Sequence, residues 1–143
     1  MNVEIILKAK GTDVVTTKPD ATLADVAGEL ANRRIGALVV SGDGKSVDGI
    51  VSERDIVRAI AESGQEALSK PVSTAMTRDV FTCSRHDSIE ELMATMSKNR
   101  FRHLPVTEED QLCGMISIGD VVKYRLEEVE YEAEALRGFI AGG

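Results

Sequence analysis

The chain contains two copies of one sequence pattern, and this duplication limits the possible folds more than any other feature. The copies align at a displacement of 66 positions, which becomes 65 after one additional residue in the first copy. The aligned segments are residues 22–26 with 88–92, 34–40 with 100–106, and 49–57 with 114–122. A repeat of this length predicts two equivalent supersecondary units that bury their apolar faces together.

Both copies show the same order of local patterns. A short strand pattern precedes a helix that opens at Thr22 or Ser88, each followed three positions later by an acidic residue, as in a capping box. Apolar residues at 3.6-residue spacing predict that this helix packs on a sheet. A hairpin and then a second helix, starting at Ser52 or Ser117, complete each copy.

The predicted fold is therefore of the α+β class, or α/β in some schemes, with two tandem β-α-β-β-α repeats and a C-terminal amphipathic helix. We expect the repeats to pack through their sheets with pseudo-twofold symmetry, because each small sheet would otherwise expose an apolar face. The predicted parts of this compact module are a first repeat with its N-terminal segment over 1–68, a second repeat over 69–125 and a helical tail over 126–143. Residues 72–76 weakly resemble residues 3–7.

The tail has the pattern of an amphipathic helix with a seam like that of a coiled coil. Its apolar residues recur at intervals of three and four, at Leu126, Val129, Ala133, Leu136 and Ile140. Glutamates cover the other faces. The pattern is compatible with packing on the tail's own domain and with pairing between two subunits, and the sequence leaves both open.

Composition narrows the classes of function. Hydrophobic residues make up 43% of the 143-residue chain and charged residues 29%, which is typical of a soluble globular protein. A net charge of -7, with only 3% aromatic residues, argues against nucleic acid as the main partner. No run reaches the roughly 20 apolar residues that span a bilayer, and the N-terminus does not have the pattern of a signal peptide. We therefore predict a cytoplasmic protein without a membrane partner.

Metal and redox sites are poorly supported by the sequence. The two cysteines, Cys83 and Cys113, are not in C-x-x-C spacing, and the only histidines are His86 and His103. Zinc sites need closely spaced sets of such ligands. We expect free thiols, no metal site and no catalytic cofactor.

The most specific local signal is a strand followed by Ser-x-x-Asp at the start of a helix, found in both copies as Ser52 with Asp55 and Ser117 with Asp120. Helix capping alone would select these residues. A helix N-terminus directly after a strand also offers free N–H groups to phosphate, and a carboxylate can accept from two ribose hydroxyls. Arg54 adds a phosphate donor in the first copy only, so we expect two unequal sites.

A second candidate cluster lies before the hairpin of the second copy. Arg100, Arg102 and His103 could bind anions there, since guanidinium groups bind phosphate in a bidentate manner. The alternative is a solvated helix end, where a cation complements the helix dipole. We favour the anion site for Arg102 and His103, and the helix end for Arg100.

The repeated Ser-x-x-Asp pattern, together with Arg-His-Leu-Pro-Val in the second copy, resembles the CBS domain pair, or Bateman module, over residues 3–123. The resemblance implies a stand-alone regulatory module without catalysis. Its ligand would be an adenine nucleotide such as AMP, ADP or ATP, or else NAD(H) or S-adenosylmethionine, bound in clefts between the repeats. The resemblance also implies a flat homodimer that signals energy or redox state to a regulated protein, which the sequence does not identify.

The resemblance assigns a role to each matching residue. Ribose contacts fall to Asp55 and Asp120, and phosphate contacts to Ser52, Ser117, Arg54, Arg102 and His103. Thr16 and Thr82 would seat the base and sugar, on an apolar bed for adenine formed by Ile50, Met115, Pro105, Val14 and Val80. We expect at least one occupied cleft, with the stronger site centred on Asp120 and with Arg102 and His103 nearby.

Two other classes of function compete with this one. His103, Ser117 and Asp120 could form a hydrolytic set, but no nucleophile elbow, P-loop or metal spacing accompanies them, so we predict no enzyme. The alternative to ligand sensing is a protein-interaction scaffold, in which the clefts are unused and the helix over residues 121–140 binds a partner.

Overall fold

The computed structural model describes residues 1–142; Gly143, the last residue of the predicted tail, lies outside the described residues. Over residues 1–142 the chain forms five α-helices and five strands. In chain order these are α1 (Val3–Lys10), β1 (Thr16–Thr17), α2 (Leu23–Arg33), β2 (Ala37–Val40), β3 (Gly49–Ser52), α3 (Glu53–Ser63), α4 (Ile89–Asn99), β4 (His103–Glu108), β5 (Gln111–Ser117) and α5 (Ile118–Gly142). Two short 3₁₀ helices, Gly64–Ser69 and Val72–Thr74, connect α3 to the second half. The order confirms the predicted α+β fold of two repeats.

The two hairpins share one register. Ala37 of β2 lies opposite Ser52 of β3, and His103 of β4 lies opposite Ser117 of β5. In the first half β1 adds a parallel strand beside β2. In the second half the predicted strand ending at Thr82 is reduced to one parallel bridge between Cys83 and Val106. The repeat is therefore complete at the hairpins and shortened at the first strand.

The helix starts are capped as the sequence predicts, but only the second helix of each repeat has a complete capping box. Thr22 Oγ1 and Ser88 Oγ each accept the backbone N–H three residues later, at 3.1 Å. The reciprocal bond that completes a capping box is found at the second helix of each repeat, where the backbone N–H of Ser52 and of Ser117 donates to the following aspartate, at 2.9 Å. The Ser-x-x-Asp pairs therefore do act as caps, as the alternative interpretation expected.

Each half is completed by the segment that precedes the other half. Helix α1 packs in the second core, which includes residues of α4, β4 and β5. Ala67 and Val72, which precede the second repeat, pack in the first core with residues of α2, β2 and β3. The backbone N–H of Ile89 donates to Met1 O at 3.2 Å, and that of Leu23 donates to Lys70 O at 3.0 Å. The weak echo between residues 3–7 and 72–76 thus has a structural counterpart, and the packing crosses the predicted boundary at residue 68.

The predicted tail is the distal part of one 25-residue helix, α5, which starts directly after β5. Its first turns dock on the second half, where Val121 is fully buried and Tyr124 packs against the core. The apolar residues of the tail are not covered by the chain itself: Leu126, Val129 and Leu136 are all exposed.

Candidate functional site

A cavity of about 330 Å³ lies between the two halves. The first half contributes the start of β2, the junction of β3 with α3, and Arg58. The other wall consists of Thr77, of residues 79–81 and of residues 100–103, which precede and begin β4. This volume falls within the roughly 300 to 1,000 Å³ typical of small-molecule sites. The predicted cleft between the repeats is present.

The Ser-x-x-Asp pair of the first repeat forms the floor of this cavity. Asp55 is 8% exposed, and its Oδ2 accepts the backbone N–H of Ser52 at 2.9 Å and the Ser52 hydroxyl at 3.1 Å. The Ser52 hydroxyl also accepts the backbone N–H of Asp55 at 3.4 Å. These bonds fix the carboxylate at the start of α3 and direct the cap toward the cavity, so the same pair can cap the helix and face a ligand.

Four arginines line the cavity, and three carboxylates accompany them. Arg54 and Arg58 project from α3, and Arg100 and Arg102 come from the segment before β4. Arg58 Nη1 lies 3.7 Å from Asp55 Oδ1. The acidic residues are Asp55, Glu53 and Asp79. All four arginines are exposed residues, so their guanidinium groups can reach an incoming anion.

His103 packs closely against the first half at Gly36. A Cβ atom on Gly36 would lie 3.1 Å from His103 Cε1, closer than ordinary contact, so a larger residue there would have to shift the imidazole. Burial lowers the pKa of His103, Lys10 and Arg102 lower it further, and Glu53 and Asp120 partly oppose this effect. A neutral imidazole can accept or donate one hydrogen bond in the cleft.

The apolar part of the cavity includes an aromatic pair that the sequence analysis did not single out. The rings of Phe81 and Phe101 stack, with centroids 5.0 Å apart and an interplanar angle of 27°. Phe81 is 53% exposed, and Val80 and Ile50 line the cavity beside it. An exposed aromatic face beside aliphatic side chains suits a flat heteroaromatic ring.

The Ser-x-x-Asp pair of the second repeat has a different environment. Lys10 Nζ, at the end of α1, donates to Asp120 Oδ2 at 2.7 Å and to Met115 O at 3.1 Å. Burial is the largest influence on the pKa of Asp120 and raises it, but the hydrogen bonds from Lys10 and Ser117 outweigh it and lower the pKa below its usual value. This carboxylate is therefore ionised and already paired with a cation of its own chain.

The structure divides the predicted site residues into two groups. Those that line the cavity are Ile50, Ser52, Arg54, Asp55, Arg102 and His103. Those that are not among its lining residues are Thr16, Thr82, Pro105, Met115, Ser117 and Asp120. Arg102 and His103 line the cavity together with Asp55, and His103 is also close enough to Asp120 for that carboxylate to affect its pKa. This cavity lies at the first motif; that the stronger site is at Asp120 stays a prediction.

Several cavity residues were not among the predicted ones. Arg58 follows Asp55 by three positions on α3, so helical spacing could have identified it. Arg100 was interpreted as a helix end and also lines the cavity, since it ends α4 in the left-handed conformation, with φ of 59°. Nothing local indicated Lys10, because its partner lies 110 positions away.

Other features of the described residues bear on the classes of function. Within residues 1–142 no helix is long and apolar enough to cross a membrane, and no three His, Cys, Asp or Glu side chains are grouped as metal ligands. Both cysteines are free, with Cys83 buried and Cys113 half-buried.

A family model described as the CBS domain matches this chain twice, over residues 10–62 and 72–127. Among curated proteins, the mitochondrial CBS domain-containing protein CBSX3 of Arabidopsis thaliana is 32% identical over 96% of this chain and 71% of its own length. The two matched stretches coincide with the two structural repeats.

Solved structures agree with this match. A CBS-domain-containing protein from Agrobacterium tumefaciens is 47% identical, with a TM-score of 0.84 over 87% of this chain and 99% of its own. A CBS domain pair solved with 5'-methylthioadenosine and S-adenosyl-L-methionine has a TM-score of 0.77 over 87% of this chain and 98% of its own. At 22% identity, that second similarity concerns the fold alone.

Proposed function

The chain belongs to the CBS-domain family, with two CBS domains in tandem, and from this premise we propose that it is a non-catalytic regulatory module that binds an adenine nucleotide. The ligand occupies the cavity between the repeats, with its ribose at Asp55. Binding changes the relative orientation of the repeats to the extent that the ligand prefers one arrangement, and a separate protein responds to that change.

The observation that carries this proposal is the combination of groups around one cavity. Asp55 Oδ2 is held by Ser52, while Oδ1 has only the 3.7 Å pair with Arg58 and can accept from ribose hydroxyls. The aromatic and aliphatic side chains suit the adenine ring. The arginines suit phosphate, since guanidinium groups form bidentate bonds with its oxygens. Apolar, sugar-binding and anion-binding groups thus line one cavity.

The proposed ligand carries at least one phosphate. Arg54, Arg58, Arg100 and Arg102 outnumber the carboxylates of the cavity, and one of those carboxylates, Asp55, is assigned to the ribose. A phosphate group would balance this excess of positive charge, whereas an uncharged nucleoside would not. We therefore expect AMP, ADP, ATP or NADH to bind more tightly than adenosine.

We further propose one ligand for each chain. In the second repeat, Lys10 donates to Asp120 Oδ2, the oxygen that also accepts the backbone N–H of Ser117. The ammonium group of Lys10 therefore lies beside the carboxylate at which a second ribose would bind, and a ligand there would compete with this partly buried ion pair. Asp55 has no lysine in that role and has instead the longer, 3.7 Å contact with Arg58.

Isothermal titration of the purified chain with AMP, ATP, NADH and adenosine tests this function. We expect saturable binding of the phosphorylated ligands, near one per chain, and a loss of about 1 to 3 kcal/mol of binding free energy in Asp55→Ala. Asp25→Ala is the matched control, because Asp25 occupies the same helix-start position on α2 without lining the cavity.

Two results would contradict the proposal. An absence of binding at millimolar concentrations of all four ligands would favour the protein-interaction scaffold instead. Equal nucleotide affinities of Asp55→Ala and Asp25→Ala would show that Asp55 is not part of the site. The variant Asp55→Asn keeps the size of the side chain, so it separates the effect of losing the charge from the effect of losing the helix cap. Sustained turnover of ATP or NADH by the pure chain would contradict the non-catalytic assignment.

A further inference from the structure

His103 lies between the two Ser-x-x-Asp motifs. As the first residue of β4 it pairs with Ser117 of β5, whose hydroxyl accepts the backbone N–H of Asp120 at 3.2 Å. Its side chain lines the cavity together with Asp55 of the first motif and packs against Gly36. One half-buried, titratable ring is thus part of the cavity and adjacent to both motifs.

Charged groups from several elements surround this imidazole. Burial disfavours a proton on the ring, and so do the cations Lys10, at the end of α1, and Arg102. Glu53, at the start of α3, and Asp120 of α5 favour the proton but do not prevail, so the pKa of His103 lies below its usual 6.5. In the ligand-free chain near pH 7 the ring is therefore neutral. The other charged residues that line the cavity are Arg54, Asp55, Arg58, Asp79 and Arg100.

We propose that a phosphate-bearing nucleotide in this cavity binds together with a proton, which His103 takes up from the solvent. The proposal rests on the proposed function, because it requires a phosphate group near Arg102 and His103. A phosphate group is negatively charged at neutral pH and favours the imidazolium form, in which both ring nitrogens donate. Ligand and proton then strengthen each other's binding by the same factor, since coupling between two sites is reciprocal.

The affinity for the nucleotide should rise as the pH falls. Above the pKa of His103 in the complex, the ring is neutral with and without ligand, and the affinity does not depend on this group. Between that value and the lower pKa of the free chain, binding takes up a proton, and each pH unit changes the affinity by at most about tenfold. Below the free pKa the ring is charged in both states, and the dependence ends.

The phosphate of AMP is a second group that titrates in this range, with a pKa of about 6. The arginines of the cavity favour its doubly charged form, so this group releases a proton on binding, which is the opposite sign. The bridging diphosphate of NADH carries no such proton and stays ionised. The guanidinium groups themselves stay protonated throughout. NADH therefore isolates the contribution of His103.

The first test follows the histidine side chains by NMR in the full chain, with and without saturating NADH. The chain has only two histidines, so the variant His86→Gln assigns both signals. We expect the pKa of His103 to rise when NADH binds, while that of His86, which does not line the cavity, stays the same. A His103 pKa that is unchanged or lower in the complex would overturn the proposal.

The second test counts protons by titration calorimetry with NADH near pH 6.5, in two buffers of different ionisation enthalpy. We expect the wild-type chain and His86→Gln to take up a measurable fraction of one proton per ligand, and His103→Gln to take up none. The affinity of the wild-type chain should rise about three- to tenfold between pH 8 and pH 6. Absence of uptake in the wild-type chain, or equal uptake in His103→Gln, would contradict the role of His103.

These outcomes are separate from those that test the nucleotide site itself. If neither AMP nor NADH binds, the proposed function fails and the coupling fails with it. If NADH binds without proton uptake, only the coupling fails and the site at Asp55 remains. If AMP binds and NADH does not, the same count is made with AMP, and the difference between the wild-type chain and His103→Gln removes the protons of the phosphate.

Discussion

Lys10 and Asp120 are joined by a hydrogen bond of 2.7 Å, although 110 positions separate them in the chain. The same lysine donates to the carbonyl oxygen of Met115, which the repeat aligns with that of Ile50. At Ile50 the donor is the backbone N–H of Thr77, at 2.8 Å. The carbonyl oxygen of Ile50 thus accepts from a backbone N–H, whereas that of Met115 accepts from a charged side chain. The two motifs therefore differ chemically.

Replacement of Lys10 should open the second motif to ligand. In Lys10→Met the Asp120 carboxylate loses its internal cation, so we expect the number of AMP molecules bound per chain to rise from one toward two in a calorimetric titration. Lys8→Met, on the same helix, should leave the value at one. One AMP per chain in Lys10→Met would contradict the role given to the lysine while leaving the site at Asp55 in place.

The same substitution should change how stability depends on pH. Because the pKa of Asp120 is lowered in the folded chain, this carboxylate stabilises the fold above its unfolded pKa, and the contribution is lost as the pH falls through the folded value. We expect Lys10→Met to be less stable than the wild-type chain by about 1 kcal/mol at pH 7. Urea unfolding should show the difference shrinking below about pH 4, and a difference that grows there would contradict it.

His103 should destabilise the fold in mild acid. Its pKa is lowered from 6.5 mainly by burial, so the unfolded chain binds the proton more readily than the folded chain. The free energy of unfolding should therefore fall as the pH drops from 6.5 toward the folded pKa of His103. Above pH 6.5 this group should have no effect on stability. Thermal unfolding of His103→Gln should show a smaller decrease between pH 7 and pH 5 than the wild-type chain, whereas His86→Gln should behave like wild type.

The docking of α1 can be tested at one close contact. A Cβ atom on Gly114 would lie 2.6 Å from Leu7 Cδ2, and Leu7 is only 1% exposed and has little room to move. We expect Gly114→Ala to lower the free energy of unfolding by about 1 to 3 kcal/mol. Combination with Leu7→Val should recover part of the loss, and strict additivity in the double-mutant cycle would show that the two positions are not in contact.

The hairpins and helices could be predicted because both copies retain the residues that specify them. The capping residues, the 3.6-residue apolar spacing and the turn-rich loops are all local, and the alignment of His103 with Ala37 gave the common register. The Ser-x-x-Asp pairs were identified for the same reason. In the second copy only the first strand is weaker than predicted, with a single bridge at Cys83.

The different environments of the two motifs could not be predicted in this way. They depend on where α1 docks, and the sequence analysis identified no helix before the first repeat and no core that would receive it. They also depend on Lys10, whose bond to Asp120 joins distant parts of the chain. Arg102 and His103 belong to the second repeat but line the cleft of the first motif, because that cavity forms between the halves.

The two cysteines should differ strongly in reactivity. Burial, with a smaller effect of Asp87, raises the pKa of Cys83 to about 12, so its thiol stays protonated at pH 8 and reacts slowly. Cys113 is half-buried and should be alkylated first by iodoacetamide. Mass spectrometry of the labelled chain should show Cys83 modified only after urea is added, and equal labelling of both cysteines in the folded chain would contradict its burial.

The crossed packing of α1 and of the segment beginning at Pro71 has a consequence for synthesis on the ribosome. The first half can form once residues 67–76 have left the exit tunnel, since its core then contains all of its parts. Helix α1 emerges before both repeats, but its core partners run from Cys83 to Val121, and Glu128, which binds the Met1 amino group, comes later still. Domains generally fold from the N-terminus during synthesis. Helix α1 must instead wait, with Val3, Ile6 and Leu7 unprotected, until the second repeat has followed it.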